Sequence, residues 1–336
     1  MKQKGFSKIL ILLGLLVAGS LFGAYYLSTL RNKPQPPSIS PQAALERHRA
    51  FHYPHPQDLT EEVKPIPFLT LPFKKADLEK NPLNKSELYD ISQGWIYSQQ
   101  ELDIHDGNPI HGGVDIHVPY GSQVISPVDG FAMSSYQTQW VREGADYQEA
   151  AKDNEEYKKP IRKYQGKEIR LGLGYFVYIY VPSVNRFLEL AHLSDIDSSI
   201  PFSPPTHNPK TDSWDPENYK TSIDDMPKSP NWVAVKKGDP LGKVGYSGLT
   251  WGYDEYVEGT KRPVILDPGK FKSWDIAHLH LEEFYFNQQT KQKGWQRDPY
   301  AIYDTYDHYP TETRKGLMGK DPLWILDKDN LPQFTK

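Results

Sequence analysis

Two short runs hold the residues best suited to chemistry, His111-Gly-Gly-Val-Asp115 and, far downstream, His278-Leu-His280. Imidazoles and carboxylates are what a zinc ion takes when no thiolate is on offer, and the chain contains no cysteine. The two runs therefore read together as one zinc site. Gly112 and Gly113 disfavour a helix between His111 and Asp115 and favour a loop entering a strand, which holds the carboxylate at the strand entrance. In Ile276-Ala-His-Leu-His-Leu-Glu282 an alternation of period two puts His278, His280 and Glu282 on one face and Leu279 and Leu281 on the other.

A catalytic zinc keeps three protein ligands and leaves one position for water. His111, Asp115 and one histidine of the second run supply the three. The remaining histidine, on the same strand face, stands beside the water as a general base or a transition-state donor. Spacing alone does not say which histidine takes which part.

The elements that must position these groups are short strands. Val114 to Val118, Gln123 to Ser126, Gly130 to Met133, Tyr175 to Val181 and Phe187 to Ala191 are β-rich runs separated by Pro, Gly or Asn, which predicts an antiparallel sheet. With 22 Tyr and 8 Trp against 4 Met, the composition also suits a β-rich protein. Long polar stretches interrupt the runs at about 138–172, 197–231 and 251–273 and read as insertions. No internal repeat is present.

Composition excludes several classes. The net charge of -4 offers no basic footprint for nucleic acid. Without cysteine there is no disulfide, no cysteine nucleophile and no lipid attachment at an N-terminal cysteine. Residues Ile9 to Leu30 carry no charge and follow Lys2, Lys4 and Lys8, a length that can span a bilayer with the N-terminus cytoplasmic. Residues 1–30 thus read as an uncleaved signal anchor, with a cleaved signal peptide as the alternative because Gly19, Ser20, Gly23 and Ala24 are small. Either reading places the rest outside the cytoplasm, in the periplasm or cell envelope, or secreted if the signal is cleaved. Residues 31–90 form a Pro-rich linker and lead-in, with a short helix expected over Gln42 to Phe51. His48, His52 and His55 in it lack a rigid element to orient them.

From about Gly94 to Tyr303 the motifs, in order, resemble those of the lysostaphin-like (LytM, M23) peptidoglycan metallopeptidases. The run His111-Gly-Gly-Val-Asp-Ile-His-Val-Pro-Tyr-Gly-Ser-Gln-Val-Ile-Ser-Pro-Val-Asp-Gly130 is similar to that family's first metal motif and the hairpin after it. Leu190-Ala-His-Leu-Ser194 resembles the segment of its third histidine. Val235-Lys-Lys-Gly-Asp-Pro-Leu-Gly-Lys-Val-Gly-Tyr-Ser-Gly248 resembles its glycine-punctuated strand pair, and His278-Leu-His-Leu-Glu282 its final motif. The resemblance implies a mainly β fold, an antiparallel LytM/M23 (duplicated hybrid motif-like) domain over 91–310 with long insertions, and a C-terminal tail over 311–336. It implies one Zn2+ held by His111, Asp115 and His280, with His192 and His278 as the catalytic pair. The implied activity is hydrolysis of peptide bonds in peptidoglycan, in stem peptides or cross-links. Two alternatives stay open: a non-catalytic LytM-type module that regulates other wall hydrolases, and a peptidase acting on an exported protein.

Weaker candidates complete the reading. His117 shares the Asp115 face and reads as a satisfied strand histidine. His105 lies where several relatives of that family place a tyrosine. Glu282 is a candidate contact of the site. His207, His308 and the charges from Asp153 to Lys159 read as solvated. Trp140, Trp214, Trp251 and Trp274 on the insertions are candidates to line or cap a cleft.

Overall fold

The computed structural model describes residues 66–97, 110–139, 163–164, 167–168, 171–208, 213–216, 221–247, 254–255, 264–265, 277–287 and 292–336. The N-terminal apolar segment, the stretch with His48, His52 and His55, the helix expected over Gln42 to Phe51, His105, Trp140, Trp251 and Trp274 lie outside the described residues. Among the described residues no helix is long and apolar enough to cross a membrane.

Strands dominate, as the alternating runs require. In chain order they are β1 (Leu71–Lys74), β2 (Asp90–Gln93), β3 (Val114–His117), β4 (Gln123–Ile125), β5 (Gly130–Gln139), β6 (Lys163–Tyr164) and β7 (Lys167–Glu168). There follow β8 (Leu171–Val181), β9 (Arg186–Ile196), β10 (Pro205–Asn208), β11 (Ser213–Pro216), β12 (Val233–Val235) and β13 (Pro240–Val244). The last are β14 (Asp254–Glu255), β15 (Val264–Ile265), β16 (His278–Asn287), β17 (Gln292–Arg297) and β18 (Phe334–Thr335). Among the described residues the only α-helix is α1 (Lys75–Lys80).

One 12-stranded sheet carries the architecture, in the order β10-β11-β5-β8-β9-β16-β3-β2, with β12 on β5, β13 on β4 and β9, and β17 on β16. All its pairings are antiparallel. Alternation decides what each face does. On β16, Leu279 and Leu281 are fully buried against Val114 and Ile116 of β3, Leu188 and Leu190 of β9, and Val177 and Ile179 of β8. Each such leucine is worth roughly 1.5–3 kcal/mol when removed from water. The opposite face carries His278, His280 and Glu282, and further along Phe284 joins Met133, Tyr180, Phe187, Met226 and Trp232 in a second apolar cluster.

Several strands run past their sequence limits because the ladder supplies hydrogen-bond partners that local pattern does not announce. The β5–β8 pairing continues to Gln137↔Gly174 and Gln139↔Leu171, into the polar stretch that begins near 138. The stretch from 197 to 231 contains the β10–β11 hairpin, with His207 and Trp214 as register partners, and the buried Ile200 and Met226. At the other end of the chain β18 pairs in parallel with β1. Leu323 and Trp324 lie in the main core with Leu69 and Leu71, so residues after 310 are packed as core.

Beyond Leu281 on the core face comes Glu283, fully buried. Its Oε1 and Oε2 accept from Arg186 Nε and Nη2 at 2.5 and 2.8 Å and from Arg297 Nη2 and Nε at 2.6 and 3.0 Å. The two guanidiniums hold the Glu283 carboxyl below the usual range against the burial that opposes it. Removing the acid would leave two cations facing each other, Arg186 largely buried and Arg297 24% exposed. Glu283→Ala is therefore expected to cost ~3–5 kcal/mol in denaturant unfolding. A loss below ~1 kcal/mol, the level of an exposed pair, would show that the triad does not lock β9, β16 and β17 together.

Candidate metal centre

Register assembles the site. In the β16–β3 ladder His280 stands opposite Asp115, and His278 opposite His117. His111 arrives from the loop before β3, where Gly112 takes φ +87 and turns the chain. Gly113 is needed for space as well: a Cβ there would lie 2.7 Å from Cε1 of His280 and 2.8 Å from the Leu281 carbonyl. The loop can thus pass directly beneath the His280 ring and lift His111 to its level.

Three ligand atoms converge. His280 Nδ1 lies 2.9 Å from Asp115 Oδ1 and 3.1 Å from His111 Nε2, and the last two are 3.4 Å apart. Ligand atoms at ~2.0–2.1 Å from a tetrahedral zinc stand roughly 3.3 Å from one another. The His-Asp-His cluster therefore fits a metal ion in spacing and in donor type, and it is the cluster of this kind among the described residues. Outer groups flank two of the rings. Nδ1–H of His111 donates to the Gly94 carbonyl at 3.0 Å, leaving Nε2 bare for a metal. Glu282 Oε2 lies 3.9 Å from the other nitrogen of His280, Nε2, an electrostatic neighbour beyond hydrogen-bond length.

Two further imidazoles border the cluster. The His192 and His278 rings are 4.8 Å apart between centroids, and His192 is 5.8 Å from His280. His278 Nε2 lies 3.4 Å from Asp115 Oδ2. His192 owes its place to an irregularity. Between Tyr175↔Leu193 and Val177↔Leu190, β9 spends one more residue than β8, a bulge. Within it His192 adopts φ 63, a conformation uncommon outside glycine. Regular alternation would send His192 into the core after Leu188 and Leu190; the bulge gives that core position to Leu193 and turns the imidazole toward β16. Nδ1–H of His192 donates to the Ser247 carbonyl at 2.8 Å, which leaves Nε2 as an acceptor. Ser247 is itself tied down: its hydroxyl donates to the Leu193 carbonyl at 2.6 Å and accepts the Tyr175 N–H at 2.9 Å.

Burial and neighbours divide the charges. Burial pushes His111 down to about 4, outweighing the pull of Asp115. Burial, with His278 and His280 adding to it, pushes His192 well below the ordinary histidine value. His280 goes the other way, raised to about 10, because Asp115 and Glu282 together outweigh its burial. Asp115 is held far below the carboxylate range by the surrounding imidazoles, also against burial. Without metal, then, the proton at the contact sits on His280 Nδ1, shared toward Asp115 and His111, where a metal ion would otherwise bond.

Other candidates fall elsewhere. His117 stands opposite His278 in register, on the face of β3 that carries Asp115, and is not one of the three residues that could hold a metal. His308 pairs with Asp304 at 2.8 Å on the surface. Tyr97, absent from the sequence reading, packs its ring on His111 at 5.0 Å between centroids; no motif spacing marks it. A cavity of about 560 Å³ lined by Tyr89, Glu312, Asp327, Phe334 and their neighbours contains none of the five site residues.

No family model matches the chain, and no curated protein matches it. Among solved structures it is similar to Csd3 of Helicobacter pylori, at 14% identity over 68% of this chain and 34% of that one, with a TM-score of 0.27. It is similar also to the catalytic domain of the prophage-encoded M23 protein EnpA of Enterococcus faecalis, at 15% identity over 61% and 86%, TM-score 0.26. A third is the antimicrobial peptidase lysostaphin of Staphylococcus simulans, at 14% identity over 72% and 60%, TM-score 0.28. The chain spans about a third of the length of the Csd3 chain. The neighbours are of the M23 and lysostaphin type, at low identity and low TM-score, so the reading of the site rests on its own geometry.

A pH dependence follows from His280. Its folded value lies above the ~6.5 of an unfolded histidine, so the imidazolium steadies the metal-free fold fully below that value and ceases to do so as pH rises through about 10. Metal must displace this proton. Zinc affinity is therefore expected to rise about tenfold per pH unit between roughly pH 7 and pH 9, measured by competition with a chelator of known affinity. A pH-independent affinity over that range would mean that His280 is already neutral.

Proposed function

We propose that this chain is a zinc-dependent endopeptidase that hydrolyses peptide bonds of peptidoglycan, in stem peptides or cross-links. Residues 1–30 anchor it as a single-pass membrane segment, with the catalytic domain outside the cytoplasm. The observation that carries the reading is the meeting of His111 Nε2, Asp115 Oδ1 and His280 Nδ1 within 3.4 Å of one another, beside two further imidazoles 4.8 Å apart. The order of the motifs around these residues, with its resemblance to lysostaphin-like enzymes, supports the substrate class.

Zinc held by His111, Asp115 and His280 would supply a Lewis acid for the scissile carbonyl and a water acidic enough to lose a proton near neutral pH. The chain's own groups do the rest. Neutral His192, with Nδ1–H fixed on the Ser247 carbonyl, offers Nε2 to take a proton from the attacking water and to return it to the leaving amine. His278, packed between His192 and Asp115, steadies the negative charge that develops on the carbonyl oxygen. No side chain forms a covalent bond to substrate in this scheme. A module that only binds wall polymer has no need of these five groups in one place, and here all five are filled.

Muropeptide mass spectrometry after incubation of the zinc-loaded chain with purified sacculi tests the proposal. New peptide ends are expected with the unaltered protein, and His192→Ala and His278→Ala should keep zinc while losing roughly 10²–10⁴ of the rate. Intact sacculi despite stoichiometric zinc would contradict the substrate and move the reading to a binding module or to an exported protein as substrate.

A further inference from the structure

The metal ligand His111 is held by a turn, and the turn is held by the C-terminal segment. His111 donates its main-chain N–H to the Trp95 carbonyl at 2.9 Å and its Nδ1–H to the Gly94 carbonyl at 3.0 Å. Backbone and ring are thus both fastened to two adjacent peptide groups. Those peptides are clamped in turn. The Trp95 N–H donates to the Tyr309 hydroxyl at 3.0 Å, the Ile96 N–H donates to the Asp304 carbonyl at 3.1 Å, and the Tyr303 ring stands edge-on to Trp95 at 5.2 Å. From the near side Gln93 Nε2 donates to the Ile96 carbonyl at 2.6 Å. At Gly94 the approach is so close that a Cβ would lie 2.4 Å from the Asp304 carbonyl oxygen and 2.6 Å from the Tyr309 ring.

One buried carboxylate organises the clamp. Asp298, 1% exposed, accepts the Tyr300 N–H at 2.9 Å, the Ile302 N–H at 2.8 Å, the Tyr303 N–H at 2.6 Å and the Tyr309 hydroxyl at 2.7 Å. It thereby winds 298–303 around itself and points the Tyr309 oxygen at Trp95. An unbroken series of hydrogen bonds and peptide groups runs from Asp298 through Tyr309 and the 94–95 peptides to His111.

We propose that Asp298 and Tyr309 are positioning residues for the metal ligand His111, so that the segment from 298 to 309 belongs to the metal centre. The inference rests on the reading of His111, Asp115 and His280 as a metal site. Nε2 of His111 has to meet Asp115 and His280 within a few tenths of an ångström, and the Gly94 peptide that sets the ring angle stands between the end of the β2–β3 ladder at Gln93↔Asp115 and this clamp, which closes on it from the C-terminal segment. Loss of an outer partner of a metal-bound histidine typically weakens metal binding ~10–100-fold.

The test is zinc affinity of the full-length chain, by competition with a chelator, in Tyr309→Phe and Asp298→Asn, beside the Tm of each metal-free protein. Ile200→Ala, a core truncation in the segment after β9 and away from both β16 and the clamp, serves as a comparator that loses stability without touching either. Each clamp variant is expected to bind zinc ~10-fold more weakly or worse, while the comparator, however much its Tm falls, keeps the parent affinity. Parent-like affinity in Tyr309→Phe with a lowered Tm would overturn the positioning role and leave the clamp as packing alone. Should Tyr309→Phe fail to fold, Asp298→Asn, which keeps shape and one acceptor oxygen, decides by the same comparison. A parent that holds no zinc would overturn the metal reading itself, which the parent titration shows before any variant is compared.

Discussion

The cross-strand pairing of His280 with Asp115 is the constraint on which the rest depends. Side chains on a strand alternate, so a slip of one residue between β16 and β3 would turn His278, His280 and Glu282 into the core and expose Leu279 and Leu281. The apolar side of the ladder therefore enforces the polar side. Burial of Leu279 and Leu281 against Val114 and Ile116 fixes the register, and the register brings a carboxylate to 2.9 Å from an imidazole. The geometry of the His-Asp-His cluster is set by the hydrophobic side of the same two strands.

Such a cluster is costly to build without a cation. Asp115 lies almost buried and keeps its charge only because imidazoles surround it, and one of them, His280, keeps a proton to do so. His111 and His192, equally buried, are held neutral. The division assigns tasks: the bare Nε2 of His111 suits a ligand, the bare Nε2 of His192 suits a proton acceptor, and each is fixed by a main-chain carbonyl on its other nitrogen, Gly94 for one and Ser247 for the other. Strain enters at one point, the left-handed backbone of His192, and there the bulge exchanges a regular strand for an aimed side chain.

What could be read in the sequence was what repeats locally. The alternation in β16 placed His278, His280 and Glu282 on one face, and the two glycines announced a turn before Asp115. The antiparallel β class followed from short alternating runs. Other features depend on contacts between distant residues and leave no local period. The bulge at His192 shows only as Leu190 and Leu193 standing three apart, and the sequence strand accordingly stopped at Ala191 whereas β9 runs to Ile196. Ser247 works through its main-chain carbonyl, which any residue possesses. No local spacing marks Tyr97 or Asp298, Tyr309 meets the Trp95 N–H across 214 positions of the chain, and β18 closes on β1 across almost the whole described length.

X-ray absorption at the zinc edge of the metal-loaded chain addresses the metal centre most directly. One bound equivalent with a shell of nitrogen and oxygen at ~2.0–2.1 Å, and outer-shell scattering from two imidazoles, is the expected result; the outer scattering should fall to that of one imidazole in His280→Ala. A spectrum without imidazole scattering, or one unchanged in His280→Ala, would contradict a site built from His111, Asp115 and His280.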